Sequence, residues 1–146
     1  MTPGTEVFPL ALLAALFGLD VVSFPQAMLS RPIVAATLAG AFVGEPGRGL
    51  VAGVALELFA LETLPFGASR YPEWGSASVV GGALFALQPA ASTGALAVSV
   101  AAALVTASVG GWTMVQHRRI IARWAGGLRE ALASGSIEAV TSLHLR

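Results

Sequence analysis

Four charged side chains lie in or beside the apolar segments of this 146-residue chain. Asp20 follows the first apolar run, Arg31 precedes the second, and Glu57 and Glu62 belong to the third. A charged side chain is costly within an apolar segment, so one found there usually pairs with another group or binds a ligand. These four residues are therefore the candidates for substrate binding.

Glu57 is the strongest of these candidates, because it lies seven residues after Leu50 with apolar neighbours on both sides. A carboxylate in such a place accepts charge-assisted hydrogen bonds, and the hydroxyl groups of a ligand are suitable donors. The alternative is a structural ion pair between Glu57 and Arg31 or Arg48. The sequence leaves both interpretations open.

The other three candidates also have structural alternatives. Asp20 and Glu62 stand near the ends of apolar runs, where a carboxylate can face the membrane interface. Arg31 is followed by Pro32, and proline favours the first turn of a helix. An arginine beside such a start can also extend to lipid headgroups.

The composition indicates an integral membrane protein. Of all residues, 55% are hydrophobic and 11% are charged, whereas soluble domains carry about 25% charged residues. The stretch 75–116 contains no Asp, Glu, Lys, Arg or His. This stretch is about twice the roughly 20 residues that cross a bilayer. Lipid is thus expected to cover much of the surface.

The segments that position the candidates are predicted to be helices. The fold class is all-α, a polytopic membrane protein of about four to five transmembrane or re-entrant helices plus a C-terminal amphipathic surface helix. Some segments are short and interrupted by Gly or Pro, as in the broken helices of transporters. The predicted membrane helices cover residues 7–19, 33–43, 50–64, 76–87 and 94–115.

The C-terminal part changes character at His117, which begins a basic stretch with apolar residues at helical spacing. We predict a membrane-embedded domain over residues 1–116 and a basic amphipathic juxtamembrane tail over 117–146. The basic stretch is predicted to form an amphipathic helix that lies on the membrane surface and contacts lipid. Its arginines place this end of the chain in the cytoplasm.

The sequence gives no support for chemistry within the chain itself. It contains no Cys and two His, and no P-loop, nucleophile elbow or zinc motif is present. We therefore predict no catalytic residue, no cofactor and no metal site. The net charge is zero, which gives no argument for nucleic acid as a partner.

Several motifs follow one another along the chain. An aspartate precedes an Arg-Pro-Ile-Val helix start, and a glycine-acidic loop and a Gly-to-Leu-Glu helix follow. A Gly-Ala step and an acidic-proline loop come next. These stretches are 19–20, 30–40, 44–46, 49–58, 67–69, 71–73 and 135–144. Their order resembles the IIC subunit of the mannose/fructose/sorbose family of the bacterial phosphotransferase system, although Glu45 stands where the family usually has Asp.

The resemblance implies a sugar-translocating subunit in the bacterial cytoplasmic membrane. Its implied partners are a IID membrane subunit and soluble IIA and IIB phosphocarriers, and its implied substrate is a hexose-type sugar. Gly67 of the Gly-Ala step joins the candidate substrate-binding residues. Family members continue past the position of His144, so we expect this chain to represent the N-terminal half.

Two other functions remain open on the sequence. The chain could be a half-length membrane scaffold or assembly subunit without its own substrate, or a subunit of a proton-coupled transporter. Neutralising Glu57 and Asp20 tests the first alternative. Dependence of uptake on a proton gradient rather than on phosphoenolpyruvate tests the second.

The arginine-rich tail generates a topology prediction. A cysteine introduced at Ala125 should resist membrane-impermeant thiol reagents in intact cells, because arginine-rich flanks stay in the cytoplasm. The chain has no other cysteine, so the signal reports that position alone. Ready labelling from outside would reverse the predicted topology.

Overall fold

The protein folds into helices connected by short segments. The computed structural model describes residues 7–20, 27–63, 70–127, 129, 133–135 and 137–144. Within these residues there are six helices and no strand, which confirms the all-helical class. They are α1 (Val7–Asp20), α2 (Pro32–Phe42), α3 (Pro46–Leu61), α4 (Trp74–Ala86), α5 (Thr93–Gly127) and α6 (Ile137–His144).

Proline and glycine set the limits of α2 and α3. Each of these helices begins with a proline, whose fixed φ suits the first helical position. After α2, Gly44 adopts a φ of +90°, and the backbone N–H of Glu45 donates to the Gly40 carbonyl at 2.8 Å. This is a Schellman motif, which ends the helix and reverses the chain into α3.

Helix α5 is longer than the sequence predicted. It begins after Ser92, whose hydroxyl accepts a hydrogen bond from the Ala95 backbone N–H at 3.1 Å. It then continues through His117 as one helix of 35 residues. Up to Gly127, the predicted amphipathic stretch is helical and forms the end of α5, so in this described part it is not a separate helix. No proline or helix-capping signal interrupts the sequence between 112 and 125.

The chain divides into two compact units, Met1–Gly111 and Trp112–Arg146. The division falls within α5. The second unit also contains α6, a short helix in a stretch for which the sequence predicted no helix. The described candidate residues, Asp20, Arg31, Glu57 and Glu62, all belong to the first unit.

Helix α4 forms the centre of the first unit. It contacts α1, α2 and α3. Trp74 at its start bonds to Thr63 just after α3, and Arg48 near the start of α3 bonds to Gln88 just after α4. The two helices are therefore antiparallel. Small residues permit this close packing. A Cβ atom on Gly82 would lie only 2.5 Å from the Ala36 carbonyl oxygen, so the backbones of α2 and α4 nearly touch.

Helix α5 is the one described helix that is long and apolar enough to cross a membrane. Helices α1, α2 and α4 are apolar but have 10–17 residues. At 1.5 Å per residue, even 14 residues span only about 21 Å of a hydrocarbon core that is about 30 Å thick. The predicted short segments are thus confirmed as short helices.

The packing of α2 against α4 yields a stability prediction. Gly82→Ala should lower the free energy of unfolding by about 1–3 kcal/mol, because the added methyl group meets rigid backbone. Gly47→Ala is the matched control, since a Cβ at Gly47 meets no atom within 4 Å. Thermal unfolding of the detergent-solubilised proteins measures both. Equal midpoints for the two variants would contradict the close approach.

Candidate functional site

Four helix ends meet at one end of the first unit. The Trp74 indole N–H donates to the Thr63 hydroxyl at 2.9 Å, which ties the start of α4 to the end of α3. Gly18, near the end of α1, faces the Glu73 carboxylate, to which a Cβ would lie at 3.7 Å. The start of α2 reaches the same end through Glu57. We call this region the acidic end.

Arg31 and Glu57 form an ion pair at the acidic end. The Arg31 guanidinium donates to Oε1 of Glu57. The other oxygen, Oε2, accepts the Ile33 backbone N–H at 3.2 Å. Glu57 therefore both neutralises Arg31 and caps the start of α2, a position at which a negative charge is favourable. Of the two partners proposed from the sequence, the structure selects Arg31 and not Arg48.

The two members of this pair differ in exposure. The Glu57 side chain is 13% exposed and the Arg31 side chain is 52% exposed. The carboxylate is thus held near the protein interior, while the guanidinium stays accessible. A guanidinium carries five N–H donors and an ionised carboxylate about four acceptor sites. Their mutual bond leaves capacity on each side for a polar ligand.

Asp20 lies close in the chain to this pair but has a different environment. It is only 2% exposed. Its Oδ1 accepts the Ala27 backbone N–H at 2.8 Å, and its Oδ2 accepts the Ser30 backbone N–H at 3.1 Å. Both carboxylate oxygens therefore bind the turn that leads to Arg31.

The remaining predicted residues are less informative. Glu62 is the exposed C-terminal cap residue of α3, so the structure places it at the acidic end but not in the Arg31–Glu57 pair. Gly67 lies outside the described residues. Its predicted part in substrate binding stays a prediction.

Glu73 is a residue of this region that the sequence did not single out as a site. It is 8% exposed and accepts the Gly75 backbone N–H at 2.7 Å. It also accepts the backbone N–H of Ser76 at 3.2 Å and the Ser76 hydroxyl. An acidic residue just before the charge-free stretch was the available signal, because a negative charge is favourable at a helix start.

Residues 70–73 of the acidic end lie beside the middle of the apolar part of α5. The Glu73 backbone N–H donates to the Ala107 carbonyl at 2.9 Å, and Arg70 donates to the Ser108 carbonyl at 2.9 Å. Ala107 follows Thr93 by 14 residues and precedes His117 by ten. These intervals correspond to about 21 Å and about 15 Å of helix. Residues 70–73 are thus irregular backbone beside the middle of an apolar helix.

The opposite end of the first unit has a different character. Arg48 donates to the carbonyl of Ala86, the last residue of α4, and to that of Gln88 just beyond the helix. Its Nε also lies 3.7 Å from Oε2 of Glu45. An open cleft of about 320 Å³ is found here. Its lining contains none of the sequence-predicted residues and is formed by Gly47, Arg48, Val51, Phe85, Ala91, Ser92, Thr93 and Leu96.

The carboxylates of Asp20, Glu57 and Glu73 accept hydrogen bonds from donors of the protein itself. Among the described residues, no three His, Cys, Asp or Glu side chains are grouped so that they could hold a metal ion. The arrangement instead offers an accessible guanidinium beside a carboxylate. Such a pair can bind a neutral molecule that both donates and accepts hydrogen bonds.

Comparison with known proteins gives one match. The family described as the PTS system sorbose-specific IIC component matches residues 5–145. No curated protein and no solved structure matches the chain. The family match covers nearly all of the chain.

The cap formed by Glu73 gives a second stability prediction. Glu73→Ala should cost about 2 kcal/mol or more, because it leaves buried backbone donors of α4 without a partner. Glu45→Ala is the matched control, since Glu45 is also a helix N-cap but makes no side-chain capping bond. It should cost less than about 1 kcal/mol, as for an exposed ion pair. Thermal unfolding in detergent compares them, and equal losses would argue against the cap.

Proposed function

The chain belongs to the family of sorbose-specific IIC components of the phosphotransferase system, and from this membership we propose that it binds a hexose-type sugar at the Arg31–Glu57 pair. As a member of this family, it is a membrane subunit of a sugar phosphotransferase system. Sorbose is the first sugar to test. The half-exposed guanidinium beside a nearly buried carboxylate is the observation that carries the proposal.

The chemistry of the pair suits a sugar. A hydroxyl group is both donor and acceptor, so one sugar hydroxyl can donate to Glu57 while a neighbouring one accepts from Arg31. Hydrogen bonds to charged partners are roughly twice as strong as those between neutral groups. The pair is electrically neutral as a whole, which suits an uncharged ligand. Glu62 and Gly67 remain proposed contributors at the same end.

The depth of the acidic end supports a site inside the membrane. Irregular backbone at bilayer depth is tolerated where it is buried in protein or lines a water-filled cavity. Residues 70–73 lie beside the middle of α5, and Arg70 is exposed there. Helix α4, a short helix, begins directly after these residues. Transporters place their substrate sites at such broken helices near the midplane.

The outer surfaces of the helices support a multi-pass arrangement in the bacterial inner membrane. Large apolar side chains are exposed on every helix of the first unit. Examples are Phe8 on α1 and Leu58 on α3, which are 77% and 65% exposed. Lipid or a neighbouring membrane subunit would cover these faces.

The proposed partners follow from the family. A IID membrane subunit would complete the translocation path, and soluble IIA and IIB subunits would supply the phosphoryl group. This chain would bind the sugar and expose it alternately to the two sides of the membrane. Its own charged residues would make and release hydrogen bonds without forming a covalent intermediate.

A scaffold without its own substrate is the second candidate. The observation that favours it is the Arg31–Glu57 pair itself, since it satisfies both charges within the protein. The two functions differ in what happens when Glu57 is neutralised. A pure scaffold would lose stability, whereas a sugar-binding subunit would lose uptake while remaining in the membrane.

The functional prediction concerns Glu57→Gln. The glutamine oxygen can still accept the Ile33 N–H, but the charge is lost, so each bond to a sugar hydroxyl falls toward about 0.5–1.5 kcal/mol. Phosphoenolpyruvate-dependent uptake of labelled sugar, with all partner subunits present, should drop about tenfold or more, as a loss of 1.4 kcal/mol implies. A blot of the membrane fraction measures how much protein is inserted.

Glu45→Gln is the matched control for this experiment. It also removes a carboxylate that faces an arginine, but it does so at the opposite end of the unit. We expect wild-type uptake. Wild-type uptake by Glu57→Gln would end the assignment of Glu57 as a sugar ligand. Loss of that variant from the membrane would favour the scaffold. Uptake that follows a proton gradient would favour a proton-coupled transporter.

A further inference from the structure

Asp20 holds a turn whose backbone is strained. Its two oxygens bind the N–H groups of Ala27 and Ser30, with Met28 between them. Met28 has a φ of +60°, in the left-handed region, where a non-glycine side chain meets its own backbone. Such a conformation persists only if surrounding contacts enforce it. The buried Asp20 carboxylate supplies two of those contacts.

The turn leads directly into the proposed binding pair. Ser30 precedes Arg31, and the Arg31 backbone N–H donates to the Met28 carbonyl at 3.2 Å. On its other side, Arg31 is followed by the start of α2, which Glu57 caps through Ile33. One carboxylate therefore fixes the backbone before Arg31, and another fixes the backbone after it.

The contacts of Asp20 argue against direct binding of a sugar. The residue is 2% exposed, so a ligand has little access to it. Each of its oxygens already accepts a backbone N–H. Arg31, in contrast, has a side chain that is 52% exposed. Asp20 is placed to act on the pair through the backbone of the turn.

We propose that Asp20 is a positioning residue, which clamps the strained turn at Met28 so that Arg31 is held ready beside Glu57. This role rests on the proposed function of the pair. In the absence of the clamp, the turn samples other conformations and only a fraction of the molecules presents Arg31 correctly. The apparent affinity for the sugar then falls by that fraction, while transport by correctly formed molecules is unchanged.

The first test measures the turn itself and needs no sugar. Because the chain has no cysteine, Met28→Cys accepts a single spin label at a position that is 73% exposed. Asp20→Asn replaces one acceptor oxygen by an NH₂ group, which cannot accept the Ser30 N–H. In membranes, we expect the label's rotational correlation time to shorten about twofold or more, toward the nanosecond motion of free loops.

A label at Val105 of α5 is the control, since that residue is 65% exposed and lies on a different helix. Its mobility should not respond to Asp20→Asn. Unchanged mobility at position 28 would overturn the proposal. An equal change at both positions would also overturn it, because it would reflect a general loosening of the fold.

The second test measures sugar uptake by the complete complex. Asp20→Asn should raise the sugar concentration for half-maximal uptake about tenfold, equivalent to about 1.4 kcal/mol, and leave the maximal rate unchanged. If Asp20 acts through Arg31, the substitution should have no further effect on the residual uptake of Arg31→Gln. An additional loss in that background would show direct contact between Asp20 and the sugar and would overturn the positioning role.

The two tests separate the failure of this proposal from the failure of the proposed function. If the wild-type complex takes up no sugar, the proposed function fails, and the role of Asp20 toward a sugar fails with it. If the wild-type complex takes up sugar but Asp20→Asn changes neither label mobility nor half-saturation, this proposal fails alone.

Discussion

The structure of the first unit depends on satisfying backbone hydrogen-bond donors at helix starts that lie in apolar surroundings. A helix leaves its first four N–H groups without an internal partner, and lipid offers none. Helices α2 and α4 both begin toward the acidic end, and the residues just before α4 bond to the middle of α5. Their starts are capped by the carboxylates of Glu57 and Glu73. Asp20 plays the same part for the turn before α2. These three acidic residues thus bind the backbone of their own chain.

This arrangement explains how charge is tolerated in so apolar a chain. Each carboxylate accepts hydrogen bonds that would otherwise be missing, so its burial and the burial of the backbone donors offset each other. Glu57 additionally holds Arg31. Within this pair the Arg31 guanidinium remains accessible. A ligand would therefore reach it before the carboxylate. Stability and the proposed sugar site therefore use the same residues.

Close packing of small residues makes these contacts possible. Gly82 brings the backbones of α2 and α4 together, which sets the relative height of the two helix starts. At the other end of α4, Arg48 donates to the carbonyl of the last helical residue, Ala86, and to that of Gln88 just beyond it. Helix α4 is therefore fixed at its start by Glu73, its N-cap residue, and at its end by Arg48 of α3. A shift of α4 along its axis would break both sets of bonds.

The sequence by itself determined the helical class, the apolar character and the approximate helix positions, because these follow from local composition and from Pro and Gly. It also identified Asp20, Arg31 and Glu57 as unusual, since charge in an apolar run needs a reason. It did not determine which charges meet. Glu57 had two possible arginine partners, and the choice of Arg31 depends on how α2 and α3 pack after the turn at Gly44. The burial of Asp20 against a strained turn, and the cap that Glu73 provides, are likewise products of the tertiary structure. The continuation of α5 past His117 was missed because a change from apolar to basic residues alters the surroundings of a helix but does not break its hydrogen bonds.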